Sequence, residues 1–440
     1  MTNHHEYEKR SPADIADVIS SKSYDVQTEF FFVLQPEIAA SVFPYLPIRL
    51  QKEILQELPS SRVADLLNAV TPDDRTQLLK SLPSDRVTQL LKYLSPVERA
   101  ISIKLLGHPE NSIGRLMTPD YIAVKPDWTV RQVLDYIRSH GKDSETINVI
   151  YAVDDKGKLV DDFRIREFLF ASFDTLVEQL MDHKFVALNV DDDEETAINI
   201  FRKNERVALP VIDSKGILLG IVTIDDIMHV AMEEDTEDIQ KIGGVVALKE
   251  PYMEIPLYNL IQKRIGWLLI LFIGEMFTAS AMGYFETEIS KAVVLALFLP
   301  LIISSGGNAG SQASTLIIRA LALGEVALKD WWRIMHREIY SGLALGIALG
   351  CVGFFRVILW SQLFNMYGAH WFLVAVTVLL ALIGVVLWGC LVGAMLPLVL
   401  KRSGFDPAVS STPFVATLVD VTGVVIYFSI AMFILKGSLL

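Results

Sequence analysis

Five long apolar stretches follow Pro256, and they restrict this half of the chain to membrane folds. A helix needs about 20 apolar residues to cross the hydrocarbon core of a bilayer, and most of the stretches reach that length. The sequence therefore predicts five spanning helices with the two chain ends on opposite sides. The predicted spans are residues 265–284, 292–323, 342–364, 371–400 and 413–435.

Basic residues are distributed unevenly between the two ends of these spans. Cytoplasmic loops carry an excess of Lys and Arg, so the large N-terminal region is predicted to be cytoplasmic and the C-terminus to be outside. The richer face carries Lys263, Arg264, Arg319, Lys329, Arg333, Arg337, Lys401 and Arg402, and the other face carries Lys291 and Lys436.

Asp420 is a carboxylate inside the last apolar stretch. An ionised carboxyl at membrane depth costs about 3 kcal/mol on insertion scales, so it needs a cation, a proton or a water-filled path. One interpretation is a structural acid that is hydrogen-bonded to a neighbouring helix, and the other is an ion pathway. Glu275 in the first span is a second such acid, for which packing and pathway roles are both open.

The second span is unusually rich in small and polar residues. Close helix packing would explain the glycines, whereas polar side chains at this depth favour a water-filled path. The glycines are Gly306, Gly307 and Gly310, and the polar residues that packing does not explain are Asn308, Ser311, Gln312 and Thr315.

The N-terminal half begins with prolines that recur every 11 to 13 residues. Proline in the first turn, with Ser, Thr or Asp nearby, is a helix-start signal. Helices of about ten residues cannot bury a face alone, so they are predicted to stack into a small superhelix. The prolines are Pro36, Pro47, Pro59, Pro72, Pro83 and Pro96.

A strand–helix–strand pattern then occurs twice between residues 116 and 234, and it resembles a pair of CBS domains. The second copy closes on Gly-Ile-Val-Thr-Ile-Asp-Asp-Ile at 220–227, whereas the first departs from the pattern at 160–168. In a complete copy, residues that match Thr223 and Asp226 often hold a nucleotide. The altered first copy makes nucleotide binding unlikely.

Charge separates the two halves of the chain. Residues before Pro251 include 43 acids and 28 bases, and residues from Pro251 onward include 9 acids and 11 bases. This balance favours cations over nucleic acid as partners. Acidic runs at 191–195 and 232–238 are either solvated faces or sites for a divalent cation. Cys351 and Cys390 both lie in apolar stretches and imply neither a metal cluster nor a disulfide framework.

Three motifs together resemble the MgtE family of magnesium channels and transporters. They are Ser-Gly-Gly-Asn-Ala-Gly-Ser-Gln at 305–312, Asp-Pro-Ala at 406–408 with the segment 413–423, and Thr-Glu-Asp-Ile-Gln-Lys at 236–241. The resemblance implies a multi-domain fold in five parts. These are a tail (1–22), an all-α superhelical N domain (23–115), an α/β CBS pair (116–234), a connecting plug helix (235–256) and a five-span α-helical membrane domain (257–440).

The same resemblance implies a homodimer in a bacterial inner membrane, with the pore between spans two and five. Asp420, the backbone near Ala416 and Gly307 would hold a largely hydrated Mg²⁺. Ser311, Thr315 and Asp406 would lie nearer the cytoplasmic mouth.

Regulatory Mg²⁺ would occupy acidic sites in the cytoplasmic region and close the pore. The residues that match this role are Asp193, Glu195, Asp226, Glu234, Glu237 and Asp238, and Asp73 and Asp74 are further candidates. His229 and Ala197 stand where many relatives carry a ligand, which suggests weaker or differently tuned sensing.

The sequence therefore predicts a channel that admits Mg²⁺ down its electrochemical gradient. The alternatives are another divalent selectivity (Mn²⁺ or Co²⁺) and a membrane-bound Mg²⁺ sensor that does not conduct. An enzyme is not expected, because the sequence lacks His-Glu-x-x-His, Gly-x-Ser-x-Gly and P-loop motifs.

Overall fold

The structure is a computed structural model that describes residues 10–248, 252–253, 255–364 and 367–436. The chain divides into two compact units, of which the first ends at Met232 and the second begins at Glu233. The predicted plug segment includes residues 249–251 and 254, and these lie outside the described residues.

The first unit begins with short helices, as the proline spacing predicts. Pro36, Pro72 and Pro96 stand in the first turn of their helices, and Pro47 and Pro59 each cap the helix that follows. The helices are α1 (Pro12–Ser20), α2 (Tyr24–Phe32), α3 (Pro36–Val42), α4 (Ile48–Glu57), α5 (Ser60–Ala69), α6 (Pro72–Lys80), α7 (Ser84–Leu90), α8 (Pro96–Leu106) and α9 (Ile113–Leu116).

A shared apolar core holds these helices together. Leu50 and Ile54 of α4 are fully buried in it, and so are Ile15 and Ile19 of α1 to within a few per cent of their surface. The segment 1–22 that was predicted as a tail therefore contains a helix that packs with the N domain.

Two small three-stranded sheets follow, one for each CBS copy. In each sheet the middle strand pairs in parallel with the first strand and antiparallel with the third. The first copy comprises β1 (Ala123–Val124), α10 (Val130–His140), β2 (Val149–Val153), β3 (Leu159–Arg164) and α11 (Ile165–Phe170). The second comprises β4 (Leu188–Asn189), α12 (Glu194–Asn204), β5 (Ala208–Ile212), β6 (Leu218–Thr223) and the start of α13 (Ile224–Ile242).

The altered first copy keeps its third strand despite two acidic residues in it. Asp161 on β3 is only 1% exposed, and its carboxylate accepts backbone N–H bonds from Asp182 (2.8 Å) and His183 (3.0 Å). Asp162 pairs with Arg206 at 3.1 Å. Because both charges have partners, this departure from the pattern leaves the strand intact.

The second unit contains five helices, among the residues described, that are long and apolar enough to cross a membrane. They are α14 (Leu257–Tyr284), α16 (Leu299–Ala322), α17 (Trp331–Phe364), α18 (Trp371–Arg402) and α19 (Thr412–Leu435), with the short α15 (Glu286–Lys291) after α14. Helices α14 and α17 begin several residues before the predicted spans, because hydropathy marks only the apolar part of a helix that continues into polar surroundings. Helix α13 runs from the second CBS copy and ends at Ile242, short of the predicted end at 256.

Helices α16 and α18 approach each other through paired glycines. A β-carbon on Gly389 would lie 2.3 Å from the carbonyl oxygen of Gly306, and one on Gly393 would lie 2.0 Å from that of Gly310. Only residues without a side chain permit such backbone contact. Small-residue packing therefore accounts for Gly306 and Gly310.

Candidate ion site and acidic clusters

Gly307 has a different environment from Gly306 and Gly310, because the atoms nearest its β-carbon position all belong to α19, whereas the other two glycines also pack against α18. A β-carbon on Gly307 would lie 3.5 Å from Oδ1 of Asp420 and 3.5 Å from the β-carbon of Ala416. Asp420 is half-buried on α19, one turn beyond Ala416. The structure thus brings together the three residues predicted to hold the ion.

Glu275 of α14 lies beside Asp420, near enough for the two carboxyl groups to influence each other's charge. Helix α14 comes close to α19 at this level, since a β-carbon on Gly274 would lie 2.5 Å from Cγ2 of Thr417. Within the part of the chain that the structure describes, no Lys, Arg or His pairs with either acid. Two acids that adjoin without a basic partner form a site to which a cation is attracted.

The polar residues predicted nearer the cytoplasmic mouth are engaged in local hydrogen bonds. Ser311 donates to the carbonyl of Thr412 at 3.2 Å, and Thr315 donates to the carbonyl of Ser311 at 2.9 Å. Asp406 accepts from the backbone N–H of Ala408 at 2.9 Å. The bond of Ser311 connects α16 to the start of α19, and the other two bonds are local to α16 and to the turn before α19.

The other oxygen of Asp406 accepts a hydrogen bond from Lys241 at the end of α13, at 2.7 Å. Lys241 also pairs with Glu237, one turn earlier on its own helix, at 2.6 Å. Burial lowers the pKa of the Lys241 ammonium, but the two carboxylates outweigh burial and raise its pKa above the ordinary value. Glu234 and Asp238, also predicted as regulatory ligands, are partly buried on the same helix.

An acidic cluster lies within the first unit, around Asp73 and Asp74 at the start of α6. Asp73 is 8% exposed, and its Oδ1 has no hydrogen-bond partner among the described residues. Burial, together with Asp225, raises the pKa of Asp73 against the lowering effect of Thr71. Burial and Asp73 raise the pKa of Asp74 to about 6.

Asp226 of α13 belongs to this cluster. Burial and then the charge of Asp73 raise its pKa to about 8, although Thr223 donates a hydrogen bond to its Oδ2 at 2.7 Å. Glu145 lies near these acids, and its burial and then the charges of Asp73 and Asp225 raise its pKa to about 7. Sequence reasoning missed Glu145 because the loop that carries it has no recognisable motif.

Asp193 and Glu195 are placed differently from these acids. Asp193 is the N-cap of α12 and accepts from the backbone N–H of Glu195 at 2.9 Å, and the side chain of Glu195 is exposed. Ala197, which stands where many relatives carry a ligand, is fully buried and packs in the core. Across the described ranges, no three His, Cys, Asp or Glu side chains come near enough to hold a metal without further movement.

Three family descriptions match the chain in order. "MgtE intracellular N domain" matches residues 10–111, "CBS domain" matches 113–173 and 177–233, and "Divalent cation transporter" (MgtE) matches 299–430. A magnesium transporter MgtE of Thermus thermophilus is 39% identical over 333 residues, which cover 76% of this chain and 72% of that protein. The chain belongs to the MgtE family. A second MgtE magnesium transporter, from Bacillus subtilis, is 28% identical over 420 residues, or 96% of this chain and 91% of that one.

The MgtE family is a transporter family, and the domain types of this chain are those the sequence predicted. A crystal structure of the cytosolic domain of the Mg²⁺ channel MgtE in complex with ATP is also similar. It is 32% identical and covers 52% of this chain and 93% of that chain, with a TM-score of 0.49.

Proposed function

We propose that this MgtE protein conducts Mg²⁺ into the cytoplasm as a homodimer, with α16 and α19 of each subunit lining the pore. The observation that carries the proposal is the position of Asp420, a half-buried carboxylate in a spanning helix whose oxygen faces Gly307. In this proposal the membrane is a bacterial inner membrane, the N-terminal domains are cytoplasmic and the C-terminus is outside.

The chemistry of Mg²⁺ suits such a site. The ion gives up its waters reluctantly and prefers one or two carboxylates together with water to a full protein cage. Asp420 supplies the carboxylate, and the absence of a side chain at Gly307 leaves space beside it for the hydration shell. A divalent ion that falls through 100 mV gains about 4.6 kcal/mol, so inward movement needs neither ATP nor a coupled ion.

We propose further that internal Mg²⁺ binds acidic cytoplasmic sites and closes the pore. Support comes from the cluster of Asp73, Asp74 and Asp226, in which burial and then the negative charge of Asp73 raise the pKa values of Asp74 and Asp226. The unpartnered Oδ1 of Asp73 fits an incoming cation. A bound divalent ion would relieve the repulsion among these carboxylates and would stabilise the arrangement that brings them together. Asp193, Glu195, Glu234, Glu237 and Asp238 remain candidate ligands in the same proposal.

Flux of Mg²⁺ into proteoliposomes tests the conduction proposal. We expect Asp420→Ala to abolish uptake, while Glu325→Ala, which removes an exposed acid from a turn of the same unit, leaves uptake unchanged. A protein that binds Mg²⁺ but shows no uptake before mutation would instead be a sensor. A panel of Mg²⁺, Mn²⁺ and Co²⁺ in the same assay determines the selectivity, since one carboxylate with waters discriminates weakly among them.

The gating proposal has a separate test. We expect Asp73→Asn combined with Asp226→Asn to keep Mg²⁺ uptake high when the vesicle side facing the N-terminal domains contains millimolar Mg²⁺. Asp174→Asn, an exposed acid outside the cluster, is the matched control and should close as the unmodified protein does. Equal closure in all three proteins would contradict a regulatory role for the cluster.

A further inference from the structure

Lys241 lies at the end of α13 with its ammonium between two carboxylates. Its Nζ is 2.7 Å from Oδ2 of Asp406 and 2.6 Å from Oε1 of Glu237. Oδ1 of Asp406 meanwhile accepts from the N–H of Ala408. Both oxygens of Asp406 are therefore occupied, one of them by a positively charged group of the protein itself.

The turn that follows Lys241 is fixed to the start of the first spanning helix, α14. Gln240 accepts from the N–H of Leu248 at 2.6 Å, and the N–H of Val246 donates to the carbonyl of Lys263 on α14 at 3.2 Å. These bonds hold the turn after α13 against the first span.

Gly244 in this turn lies against Trp267 of α14, where a β-carbon would come within 2.4 Å of the indole ring. The indole N–H of Trp267 donates in turn to Ser411 at the start of α19, at 2.9 Å. Lys241 thus reaches Asp406 from a turn whose neighbours already bridge α14 and α19, so the contact has a defined geometry.

We propose that Lys241 is a tethered cation that occupies Asp406 in place of a divalent ion and holds the end of α13 to the residues leading into α19. This inference rests on the proposed function, in which Asp406 lies near the cytoplasmic mouth of the pore. Permeating Mg²⁺ and the lysine compete for one carboxylate. Release of the lysine exposes that carboxylate and frees the end of α13 from α19.

The strength of the pair is suited to a contact that must break. The Lys241 side chain is 28% exposed and that of Asp406 is 37% exposed, so solvent screens their attraction. Ion pairs of this exposure are weak and break readily. A divalent ion carries twice the charge of the ammonium and can displace it from Asp406. A fully buried ion pair would resist such displacement.

Substitution of Lys241 in the full-length protein tests the proposal. We expect Lys241→Met to raise the initial rate of Mg²⁺ uptake about two- to fivefold, the shift in population that corresponds to losing such a pair. Lys241→Arg keeps the charge and should stay near the unmodified rate. Lys401→Met removes an exposed charge at the end of α18 that pairs with no acid in the described part of the chain, and it should also leave the rate unchanged.

A chemical rescue separates charge from packing at the same position. Lys241→Cys is made in a background that carries Cys351→Ser and Cys390→Ala, so that the new thiol alone reacts. Modification with 2-aminoethyl methanethiosulfonate restores a positive charge and should return the rate to that of the background protein. Modification with neutral methyl methanethiosulfonate should leave the rate raised.

The outcomes are distinct. If the unmodified protein conducts Mg²⁺ and Asp420→Ala does not, the proposed function holds. An unchanged rate in Lys241→Met would then overturn the tethered-cation proposal alone. A lower rate in Lys241→Met, not restored by the aminoethyl reagent, would also overturn it, because the lysine would then support the fold. If the unmodified protein shows no uptake, the proposed function itself fails.

Discussion

Gly307 and Asp420 face each other between α16 and α19, with 3.5 Å from the position of a β-carbon on the glycine to Oδ1 of the aspartate. This separation is ordinary van der Waals contact, so a methyl group fits without moving a helix. Gly307→Ala is therefore expected to fold normally. Its methyl group would occupy space that the hydration shell of the ion needs, and Mg²⁺ uptake should fall by about tenfold, near 1.4 kcal/mol. Uptake at the unmodified rate would place the ion away from Gly307.

Gly393→Ala, in contrast, should lower the stability of the protein. The added β-carbon would lie 2.0 Å from the carbonyl oxygen of Gly310, and a backbone atom cannot move aside as a side chain does. Overpacking of this kind costs about 1–3 kcal/mol. Thermal unfolding in detergent should show a lower midpoint for Gly393→Ala. Gly266→Ala is the matched control, since no atom lies within 4 Å of its β-carbon position.

Glu275→Gln tests whether the acid of the first span belongs to the pathway or to the packing. Glutamine keeps the size of the side chain but removes the second carboxylate beside Asp420, so a pathway role predicts several-fold slower Mg²⁺ uptake with unchanged thermal unfolding. Glu286→Gln, an exposed acid just beyond α14, should change neither property. A lower unfolding midpoint with normal uptake would assign Glu275 to packing.

The acidic cluster predicts a dependence of stability on pH when no divalent cation is present. The pKa of Asp226 is raised to about 8 from 3.8, so the folded protein binds this proton more tightly than the unfolded chain does. The free energy of unfolding is therefore highest at low pH and decreases as pH rises from about 4 to 8. Asp74 and Glu145 act in the same direction.

Asp226→Asn should weaken this dependence, because the amide does not ionise. The measurement is the midpoint of thermal unfolding in EDTA between pH 5.5 and 8.5. We expect the midpoint of the unmodified protein to fall over that range, and the midpoint of Asp226→Asn to fall less. Parallel curves for the two proteins would show that Asp226 does not control the dependence.

Much of the fold could be predicted because it follows from local signals. Proline spacing located the N-domain helices, and continuous hydropathy located the spanning helices. The starts of α14 and α17 were less predictable, since a helix continues wherever its backbone hydrogen bonds are satisfied and is not limited to its apolar residues. The strand β3 forms despite its two acids because Asp182, His183 and Arg206, all from the second copy of the repeat, supply partners.

The candidate site was predictable in part. A carboxylate at membrane depth identified Asp420 on energetic grounds alone, and the glycine-rich segment identified α16. The sequence could not distinguish Gly307 from Gly306 and Gly310, because the difference lies in whether α18 also packs against the glycine. The same limit applies to Lys241 and Asp406, which are separated by 165 residues and meet only in the folded chain.

The backbone contact between α16 and α18 has a mechanical consequence. The close approach of the two backbones leaves little room for one helix to slide past the other, so we expect α16 and α18 to move together. In the proposed pore, a shift of α16 would then carry α18 with it. Widening would occur where α16 meets α19, at the contact of Gly307 with Ala416 and Asp420, or between the two subunits of the proposed homodimer.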